Sequence, residues 1–455
     1  MPKFNALFDR KKSRLNPLPS VLIAAVIVFI IAATVFLLPS FERGKPSVTI
    51  TPDIKAIGRN QTFTVTFHDQ RSGLKNTTIS LTQKGKTHVL SSTVHEKKGT
   101  RSQSVPVTID AASLKLVDGP ATLDISAVDH AIWGNQTSLV RAVDIDVTPA
   151  QIYVLTTMNY INPGGTCVVL FRTSKPIIES GVFVNETFFK AYPITASGKP
   201  FYVATFAAPL DAGSNTPRIR AFVKDPGGNE TAAAIPFAMR KKTFRSDKVS
   251  LSNQFLERKM PEFQTMYPEL RNKSLEETFA YVNKIMREEN NQAIQEISRN
   301  SRPQALWEGA FLRMSNAAPM ALFGDRRQWL FDGKQIGESI HEGIDLASVA
   351  RAPIEAANNG VVLFAGPLGI YGSTVIIDHG MGLSSLYAHL SSVQVQEGQA
   401  LKKGDVIGNS GMTGLAGGDH LHFSIMVGGE FVNPVEWWDP HWIENNVKKK
   451  LELAF

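Results

Sequence analysis

Residues 46 to 238 consist of short runs, rich in Thr, Val and Ile, in which apolar and polar side chains alternate. SVTITP, QTFTVTFHD, TTISLTQKG and ATLDISAVD show the pattern, and turn residues separate the runs. A period of two is typical of strands that bury one face, and no comparable helical period interrupts it. The pattern predicts two immunoglobulin-like β-sandwich modules, at 46–147 and 148–238. It does not distinguish binding modules from spacers.

The period changes after the second module. Residues 239–303 begin with a charged linker, MRKKTFRSDK, and continue with apolar side chains three or four residues apart. Ser274 and Glu277 stand at the spacing of a capping box, in which each residue caps the other's backbone at the start of a helix. We therefore expect a linker and a helical segment that reaches about Ile297. The helix either packs on a neighbour or covers a cleft of the domain that follows.

Residues 304–440 return to short strands and glycine turns, which predicts an all-β domain followed by a C-terminal tail at 441–455. Asp332-Gly333, within QWLFDGKQI, is typical of a two-residue hairpin turn. GVVLFAG, STVIIDHG and LSSLYAHL indicate further short strands. The whole chain is therefore predicted to be mainly β.

The first 43 residues differ from everything after them. Eighteen uncharged, mostly apolar residues run from 21 to 38. As a helix they would extend roughly 27 Å, close to the hydrocarbon thickness of a bilayer. Basic residues outnumber acidic ones before this run, which predicts a cytoplasmic N-terminus. We expect 1–43 to form a cytoplasmic tail and one transmembrane anchor, rather than a cleaved signal peptide, with the remaining chain exported.

Composition excludes some classes of protein. The chain is 43% hydrophobic and 20% charged, as folded globular proteins are. Its net charge of +7 is small for 455 residues, and no basic run interleaved with aromatic residues suggests a nucleic-acid partner. The single cysteine, Cys167, cannot form an intrachain disulfide, which is ordinary in a bacterial envelope protein.

Histidines concentrate near the C-terminus, where six of ten lie in the last 115 residues. His420 and His422, in GGDHLHFSI, would share one face of a strand because they are two residues apart. His341 and Asp345, in HEGIDLAS, are four residues apart and share a face in either a strand or a helix. Two imidazoles and one carboxylate leave a fourth tetrahedral position for water, as catalytic zinc sites do.

Three motifs in this region resemble those of the lysostaphin-type (LytM-type) zinc metallopeptidases, which hydrolyse peptide bonds of bacterial peptidoglycan. The motifs are HEGIDLAS, LYAHL and GNSGMTGLAGGDHLHFSI, in that order, and the resemblance covers about a quarter of the chain, 320 to 437. It implies that His341, Asp345 and His422 bind one zinc ion per chain. It also implies that His389 and His420 are catalytic, without deciding which of them is the general base.

Other residues near the motifs are interpreted as structural. Glu342 is expected to be solvated because it is the immediate neighbour of His341. Tyr387 either lines the cleft or packs in the core. The remaining histidines are expected to have no role in the site: His68, His88, His95, His130, His379 and His441.

The sequence thus predicts a membrane-anchored zinc endopeptidase that hydrolyses stem peptides or cross-links of peptidoglycan through a metal-activated water. Its predicted location is the inner (cytoplasmic) membrane, as a single-pass protein with the catalytic domain in the periplasm. The predicted partners are peptidoglycan, the membrane through one N-terminal helix, and a cell-envelope protein through the β modules. The alternative is a non-catalytic peptidoglycan-binding protein or an activator of other cell-wall hydrolases, against which the complete ligand pattern argues.

Overall fold

A computed structural model describes residues 18–455 except 197, 213 and 214. The chain is mainly β, as predicted. It divides into two compact units: one is the described chain up to Thr148 together with Pro226–Asn229, and the other is Pro149–Asp225 with Glu230–Phe455. The basic residues on which the predicted cytoplasmic N-terminus depends lie outside the described residues.

Helix α1 covers Leu18–Leu37, and a 3₁₀ turn follows at Leu38–Phe41. Its described side chains are mostly apolar and exposed; Leu22 is 68% and Phe29 73% exposed. Counted over the residues that the structure describes, no helix is long and apolar enough to cross a membrane. The transmembrane anchor predicted at 21–38 stays a prediction.

The first unit contains two sheets around one core. One sheet has the order β1-β3-β6 and the other the order β2-β8-β7-β4-β5. Apolar side chains alternate with polar ones along the strands, as in β7, and those that point inward form the core, with Phe63, Phe67 and Leu81 almost wholly buried. The immunoglobulin-like class of this module stays a prediction. Strands β1 to β8 are Ser47–Thr51, Ala56–Ile57, Asn60–His68, Leu74–Gln83, Lys86–Val94, Ser102–Asp110, Gly119–Asp129 and Gln136–Ile145.

The N-terminal part of the second unit is a sheet of order β16-β15-β12-β13-β14-β11-β9, beside a parallel pair of β10 with β17. It does not include Pro226–Asn229, which the sequence prediction had placed in this module and which belongs to the first unit. Its immunoglobulin-like class is likewise untested. Strands β9 to β17 are Ile152–Val154, Asn159–Ile161, Thr166–Thr173, Glu179–Val184, Thr187–Ala196, Lys199–Ala207, Ile219–Lys224, Glu230–Ala234 and Phe237–Met239.

The segment between this sheet and the C-terminal domain is more ordered than a linker. It begins with strand β18, Ser246–Ser250. Three helices follow, α2 at Asn253–Met266, α3 at Leu275–Tyr281 and α4 at Arg287–Ser298, with a 3₁₀ turn at Pro268–Leu270 and a π-helical turn at Val282–Met286. Both hydrogen bonds of the predicted capping box are present: Glu277 N–H donates to Ser274 Oγ, and Ser274 N–H donates to Glu277 Oε2.

The C-terminal domain is built on a sheet of order β19-β22-β30-β26-β25-β24-β28, and β31 pairs with β30. Two smaller sheets flank it, β18-β20-β21 and β23-β29-β27. Strands β19 to β25 are Ala318–Ala321, Arg326–Phe331, Lys334–Ile340, Ile344–Ala347, Pro353–Glu355, Gly360–Leu368 and Gly372–Gly380. Strands β26 to β31 are Leu383–Leu390, Ser392–Val393, Ala400–Leu401, Val406–Asn409, Leu421–Val427 and Glu430–Val432, and a 3₁₀ turn lies at Gly369–Tyr371.

Turn chemistry and strand pairing in this domain position the candidate site. The hairpin of β20 and β21 turns at Asp332-Gly333, both with positive φ (46° and 78°), which is the type I′ geometry expected of an Asp-Gly pair. In the central sheet, β22 pairs with β30 so that Asp345 lies opposite His422. On its other side β30 pairs with β26, which ends in the LYAHL motif. Adjacent strands therefore carry all three motifs to one region.

The C-terminal residues, predicted to be a tail, are helical and packed. Helices α5, α6 and α7 lie at Pro434–Trp438, Pro440–Ile443 and Lys449–Leu451, with a π-helical turn at Glu444–Lys448 and a 3₁₀ turn at Glu452–Ala454. Lys450 Nζ donates hydrogen bonds to Asn159 Oδ1 (2.7 Å) and to Val168 O (2.9 Å) of the preceding sheet. Ile443 and Val447 are buried, so these residues join the core of the second unit.

His379 lies outside the three motifs and is fully buried, which is consistent with the structural role predicted for it. Its Nδ1–H donates to Asn359 O at 2.7 Å, and Nε2 lies 2.7 Å from Ser385 Oγ. Burial lowers the pKa of His379 from 6.5 to about 4. Between these values the unfolded chain binds a proton that the folded chain does not, so stability falls as the pH falls.

We expect proton binding to this one histidine in the unfolded chain to lower the free energy of unfolding by about 3 kcal/mol as the pH falls from 7 to 4, with little further loss below pH 4. Thermal unfolding of the chelator-treated chain, followed from pH 7 to pH 4, measures the effect. In His379→Gln the dependence should be shallower by that amount, and parallel curves for the two proteins would contradict the prediction.

Candidate metal centre

Three side chains in the C-terminal domain point at one another. Asp345 Oδ1 lies 3.0 Å from His341 Nε2 and 2.9 Å from His422 Nδ1, and the two histidine nitrogens are 3.0 Å apart. Four-coordinate metals held at about 2.0–2.2 Å by nitrogen and oxygen bring their ligand atoms into such close triangles. The donors are two imidazoles and one carboxylate, a set that suits zinc and leaves one position open.

Hydrogen bonds behind the two imidazoles hold their lone pairs in that direction. His341 Nδ1–H donates to Leu322 O at 3.0 Å, which leaves Nε2 as its ligand atom. His422 Nε2 lies 3.1 Å from Ser424 Oγ, whose own proton goes to Glu342 O at 2.8 Å. Ser424 therefore accepts from His422, which leaves Nδ1 as its ligand atom. Partners of this kind fix tautomer and ring orientation in metal sites.

Gly343 keeps the space in which His422 lies. A Cβ at residue 343 would be 2.5 Å from His422 Nε2 and 2.6 Å from Ser424 Oγ, closer than real Cβ contacts. A side chain there would displace the ring and its hydrogen-bond partner. The absence of a side chain at residue 343, the donor set and the oriented lone pairs all fit a bound zinc ion.

Two more histidines face this cluster. His420 Nε2 lies 3.5 Å from Asp345 Oδ1, and its Nδ1–H donates to Gly418 O. The His389 ring centre is 4.9 Å from that of His420 and 5.8 Å from that of His422. The Nδ1–H of His389 donates to Thr413 O at 2.9 Å, so its Nε2 is the nitrogen with a free lone pair. The structure thus brings together all five predicted site residues.

The backbone of His389 has a positive φ of 62°, a region that few residues other than glycine occupy. The residue lies at the end of β26, and this conformation breaks the alternation of side chains along the strand. Tyr387, two residues earlier, is accordingly 1% exposed and packed, with its hydroxyl accepting from Ala357 N–H and Ser385 Oγ. Of the two predicted roles for Tyr387, the structure therefore supports core packing.

The electrostatics favour the protonation states that metal ligation needs. Burial would raise the pKa of Asp345, but the neighbouring imidazoles of His341, His420 and His422 outweigh it and hold that pKa well below its usual range. Burial lowers the pKa of His422 to about 4 despite the opposing effect of Asp345. An ionised carboxylate and a neutral imidazole are the ligand forms required at neutral pH.

The two histidines outside the triangle shift in opposite directions. Burial, together with repulsion from His420 and His422, lowers the pKa of His389 well below its ordinary value. Burial also acts to lower the pKa of His420, but the hydrogen bond and charge of Asp345 outweigh it and raise that pKa.

A cavity of about 330 Å³ opens onto the cluster, and most of the residues that line it lie outside the three motifs. The hydrophobic part of its lining includes Phe255, Phe279 and Trp329. Arg287, on α4, and Arg327, on β20, contribute two guanidinium groups. The helical segment, for which the sequence left packing on a neighbour and covering a cleft as alternatives, forms one wall of this cavity.

The surroundings of Glu342 also differ from the prediction. It was predicted to be solvated, but Asn291 Nδ2 donates to its Oε2 at 2.7 Å, and burial raises its pKa. Its backbone O accepts from Ser424, so the residue supports the orientation of His422. This backbone contact forms only when β22 pairs with β30, so the sequence alone carries no signal for it.

A single antiparallel sheet that gathers two histidines and one aspartate around an open coordination position is the framework of a metallopeptidase domain. Residues 339–434 match the model of Peptidase family M23, so the chain carries an M23 (LytM-type) domain towards its C-terminus. The predicted family resemblance is confirmed. The assignment of the individual ligands and catalytic residues remains a prediction.

Three curated proteins illustrate the relatives of this domain. The DD-carboxypeptidase/endopeptidase Mpg of Neisseria meningitidis is 44% identical over 96 residues, 21% of this chain and 22% of that protein. The peptidoglycan DD-endopeptidase ShyA of Vibrio cholerae is 36% identical over 96 residues, again 21% of this chain and 22% of that protein. The murein hydrolase activator NlpD of Salmonella dublin is 36% identical over 129 residues, 27% of this chain and 33% of that protein.

These similarities cover only 21–27% of this chain. This chain spans about a fifth of the length of the first two relatives and a third of the third. The relatives include both peptidases and an activator of hydrolases. The match of the C-terminal domain to this family therefore does not decide between the two functions predicted from the sequence.

Proposed function

We propose that this chain is a zinc endopeptidase that hydrolyses peptide bonds in the stem peptides or cross-links of peptidoglycan. The observation that carries the proposal is the triangle of His341, Asp345 and His422, whose ligand atoms lie 2.9–3.0 Å apart with both imidazoles oriented from behind. The family of the C-terminal domain and its named relatives support peptidoglycan as the substrate.

Zinc held by these three residues would polarise the scissile carbonyl and lower the pKa of a coordinated water to about 7. The chain supplies the remaining chemistry. His389 presents Nε2 towards the cluster because Nδ1–H is held by Thr413 O, and His420 presents Nε2 beside Asp345. One of these imidazoles accepts a proton as water attacks, and the other, in its protonated form, stabilises negative charge or donates its own proton to the leaving amine.

The proposed location is the inner membrane, with the N-terminus in the cytoplasm and the catalytic domain in the periplasm. The support is the apolar run at 21–38 and the exposed apolar side chains of α1, which water solvates poorly. Labelling of cysteines introduced at residues 12 and 90 with a membrane-impermeant reagent would test it. Reaction at 90 alone in intact spheroplasts is expected, and reaction at both would contradict the orientation.

A second candidate, supported by the similarity to a murein hydrolase activator, is a protein that binds peptidoglycan or a partner hydrolase without catalysis. Against it stands the complete set of ligands and flanking histidines in this chain. The proposed cell-envelope partner of the β modules would belong to either function.

Incubation of the purified full-length chain with peptidoglycan sacculi distinguishes the two functions. We expect soluble fragments, identified by mass, to be released with zinc and not with a chelator, and readdition of zinc to restore release. Mass analysis also identifies the bond that is cut. A chain that contains zinc yet releases nothing alone, but accelerates a separate hydrolase, would establish the activator instead.

A further inference from the structure

The cavity beside the metal centre is lined by more cationic than acidic side chains. Among the described residues that line it, Arg287 and Arg327 are cationic and Asp345 is the one acidic residue. The carboxylate of Asp345 is already shared by three histidines, at 3.0, 2.9 and 3.5 Å. The two guanidinium groups therefore lack a dedicated carboxylate within the cavity.

Arg327 is close to Asp345 without a hydrogen bond to it. Its Nη2 lies 3.7 Å from Asp345 Oδ2, beyond the 2.7–2.9 Å typical of a charge-assisted hydrogen bond. The side chain is 24% exposed and its guanidinium lies 5.9 Å from the centre of the Trp329 ring. Once Asp345 binds a metal, its negative charge is committed to that metal, and Arg327 is left to attract another anion.

Arg287 is positioned by neutral acceptors. Its Nε donates to Asn283 O at 3.1 Å and its Nη2 donates to Asn283 Oδ1 at 3.3 Å, one turn earlier. The residue directly follows the π-helical turn at Val282–Met286, an irregularity that often occurs at functional sites. Burial lowers the pKa of Arg287, and Tyr371 and Glu342 oppose that effect. Guanidinium nevertheless stays charged in proteins.

Glu342 is the other carboxylate near Arg287, but it is engaged elsewhere. It accepts from Asn291 Nδ2 at 2.7 Å and does not line the cavity. No ion pair within 4 Å joins it to Arg287 in the part of the chain that the structure describes. The cavity therefore retains an excess of positive charge beside the metal position.

We propose that Arg287 and Arg327 form a carboxylate-binding subsite, so that the chain selects peptides with a free carboxylate next to the scissile bond. This inference rests on the proposed function and specifies its substrate class. Guanidinium groups bind carboxylates through paired, charge-assisted hydrogen bonds, which strengthen where water is excluded. The aromatic and aliphatic side chains around the subsite reduce its exposure to water and strengthen the selection.

A pair of peptides that differ in one group tests the subsite. The probes are a fluorescently labelled stem pentapeptide ending in a free D-Ala carboxylate and the same peptide ending in a carboxamide. Fluorescence anisotropy on the zinc-loaded full-length chain gives the binding ratio, and product analysis gives the ratio of kcat/KM. We expect the carboxylate peptide to be preferred by about 10- to 100-fold in both ratios, as charge-assisted hydrogen bonds of this kind provide.

Arg287→Gln should bring both ratios close to one, with the change mainly in KM, and Arg287→Lys should restore part of the preference. Arg327→Gln should have the same effect, and zinc content and circular dichroism verify that each variant is loaded and folded. The matched control is Arg326→Gln. Arg326 is the exposed neighbour of Arg327 on β20 and lies outside this cavity, so its substitution should leave both ratios unchanged.

Because binding and cleavage are measured separately, the experiment tests the subsite and the proposed endopeptidase independently. If neither peptide is cleaved and sacculi release no fragments, but the carboxylate is still bound preferentially and only through the two arginines, the subsite stands and the proposed endopeptidase fails. If the wild-type chain binds and cleaves both peptides equally, or if the preference persists in both glutamine variants, the subsite is wrong and the endopeptidase is unaffected.

Discussion

Asp345→Ala is expected to produce a folded chain that holds much less zinc than the wild type and releases no fragments from sacculi. Its Oδ1 is within 3.0 Å of both histidine ligand atoms, so the substitution removes the anionic ligand and leaves two neutral ones. Losing one ligand in three should weaken metal binding by on the order of 10²- to 10³-fold, given the total affinities of zinc sites. His422→Ala should have the same effect, because it removes the ligand that β30 contributes to the site.

Three measurements check this prediction. Elemental analysis should give one zinc per wild-type chain and much less than one per variant chain. Zinc should raise the unfolding temperature of the wild type, because a ligand that binds the folded state stabilises it, and should not raise that of the variant. Glu397→Ala, an exposed acid of the same domain, provides the control. Wild-type activity in Asp345→Ala would refute the assignment of the metal ligands.

The ligand set was predicted because the resemblance of three motifs to the LytM-type metallopeptidases implied His341, Asp345 and His422, whereas spacing alone left open which histidine of the HLH pair is a ligand. His341 and Asp345 are four residues apart, and the strand that begins at Leu421 directly follows His420 and carries His422. Pairing of β22 with β30 then places Asp345 opposite His422. A motif that includes the glycine at 343 and the serine two residues after His422 therefore encodes both the ligands and their orientation.

The wall of the cavity was not predictable in the same way. Arg326 and Arg327 are adjacent and identical in type, and only the pairing of β20 with β18 and β21 decides that Arg327 faces the metal centre. Arg287 depends on the π-helical turn that precedes it, which shifts the helical phase in a way that a period of 3.6 does not anticipate. Both arginines reach the cavity through tertiary packing of distant segments.

Two other differences between the sequence prediction and the structure also arise from contacts between distant segments. The predicted tail at 441–455 is short and rich in lysine, but Lys450 donates hydrogen bonds to acceptors on two strands, 291 and 282 residues earlier in the chain. Helix α2 was missed because its apolar residues are few and Pro261 lies within it. Its buried residues, Leu256, Met260 and Phe263, pack against other buried residues of the second unit, which no local pattern indicates.

Substitution of either histidine outside the metal triangle is expected to have the second large effect, a loss of catalytic rate. His389→Ala and His420→Ala should each lower kcat by about 10²- to 10⁴-fold, the usual contribution of a positioned acid or base, while zinc content stays near one per chain. Retention of zinc is expected because neither residue contributes one of the three ligand atoms that lie 2.9–3.0 Å apart. This result would separate catalytic histidines from ligands.

The pH dependence of kcat/KM in the two variants then divides the roles between them. The residue that accepts the proton must be neutral, so its loss should remove the fall in rate on the acid side, and loss of the proton donor should remove the fall on the alkaline side. His441→Ala, at a histidine near the C-terminus that lies outside the site, is the control and should keep the wild-type profile. Zinc loss in either variant would instead make that residue a ligand, and an unchanged kcat in both would show that the chain works without them.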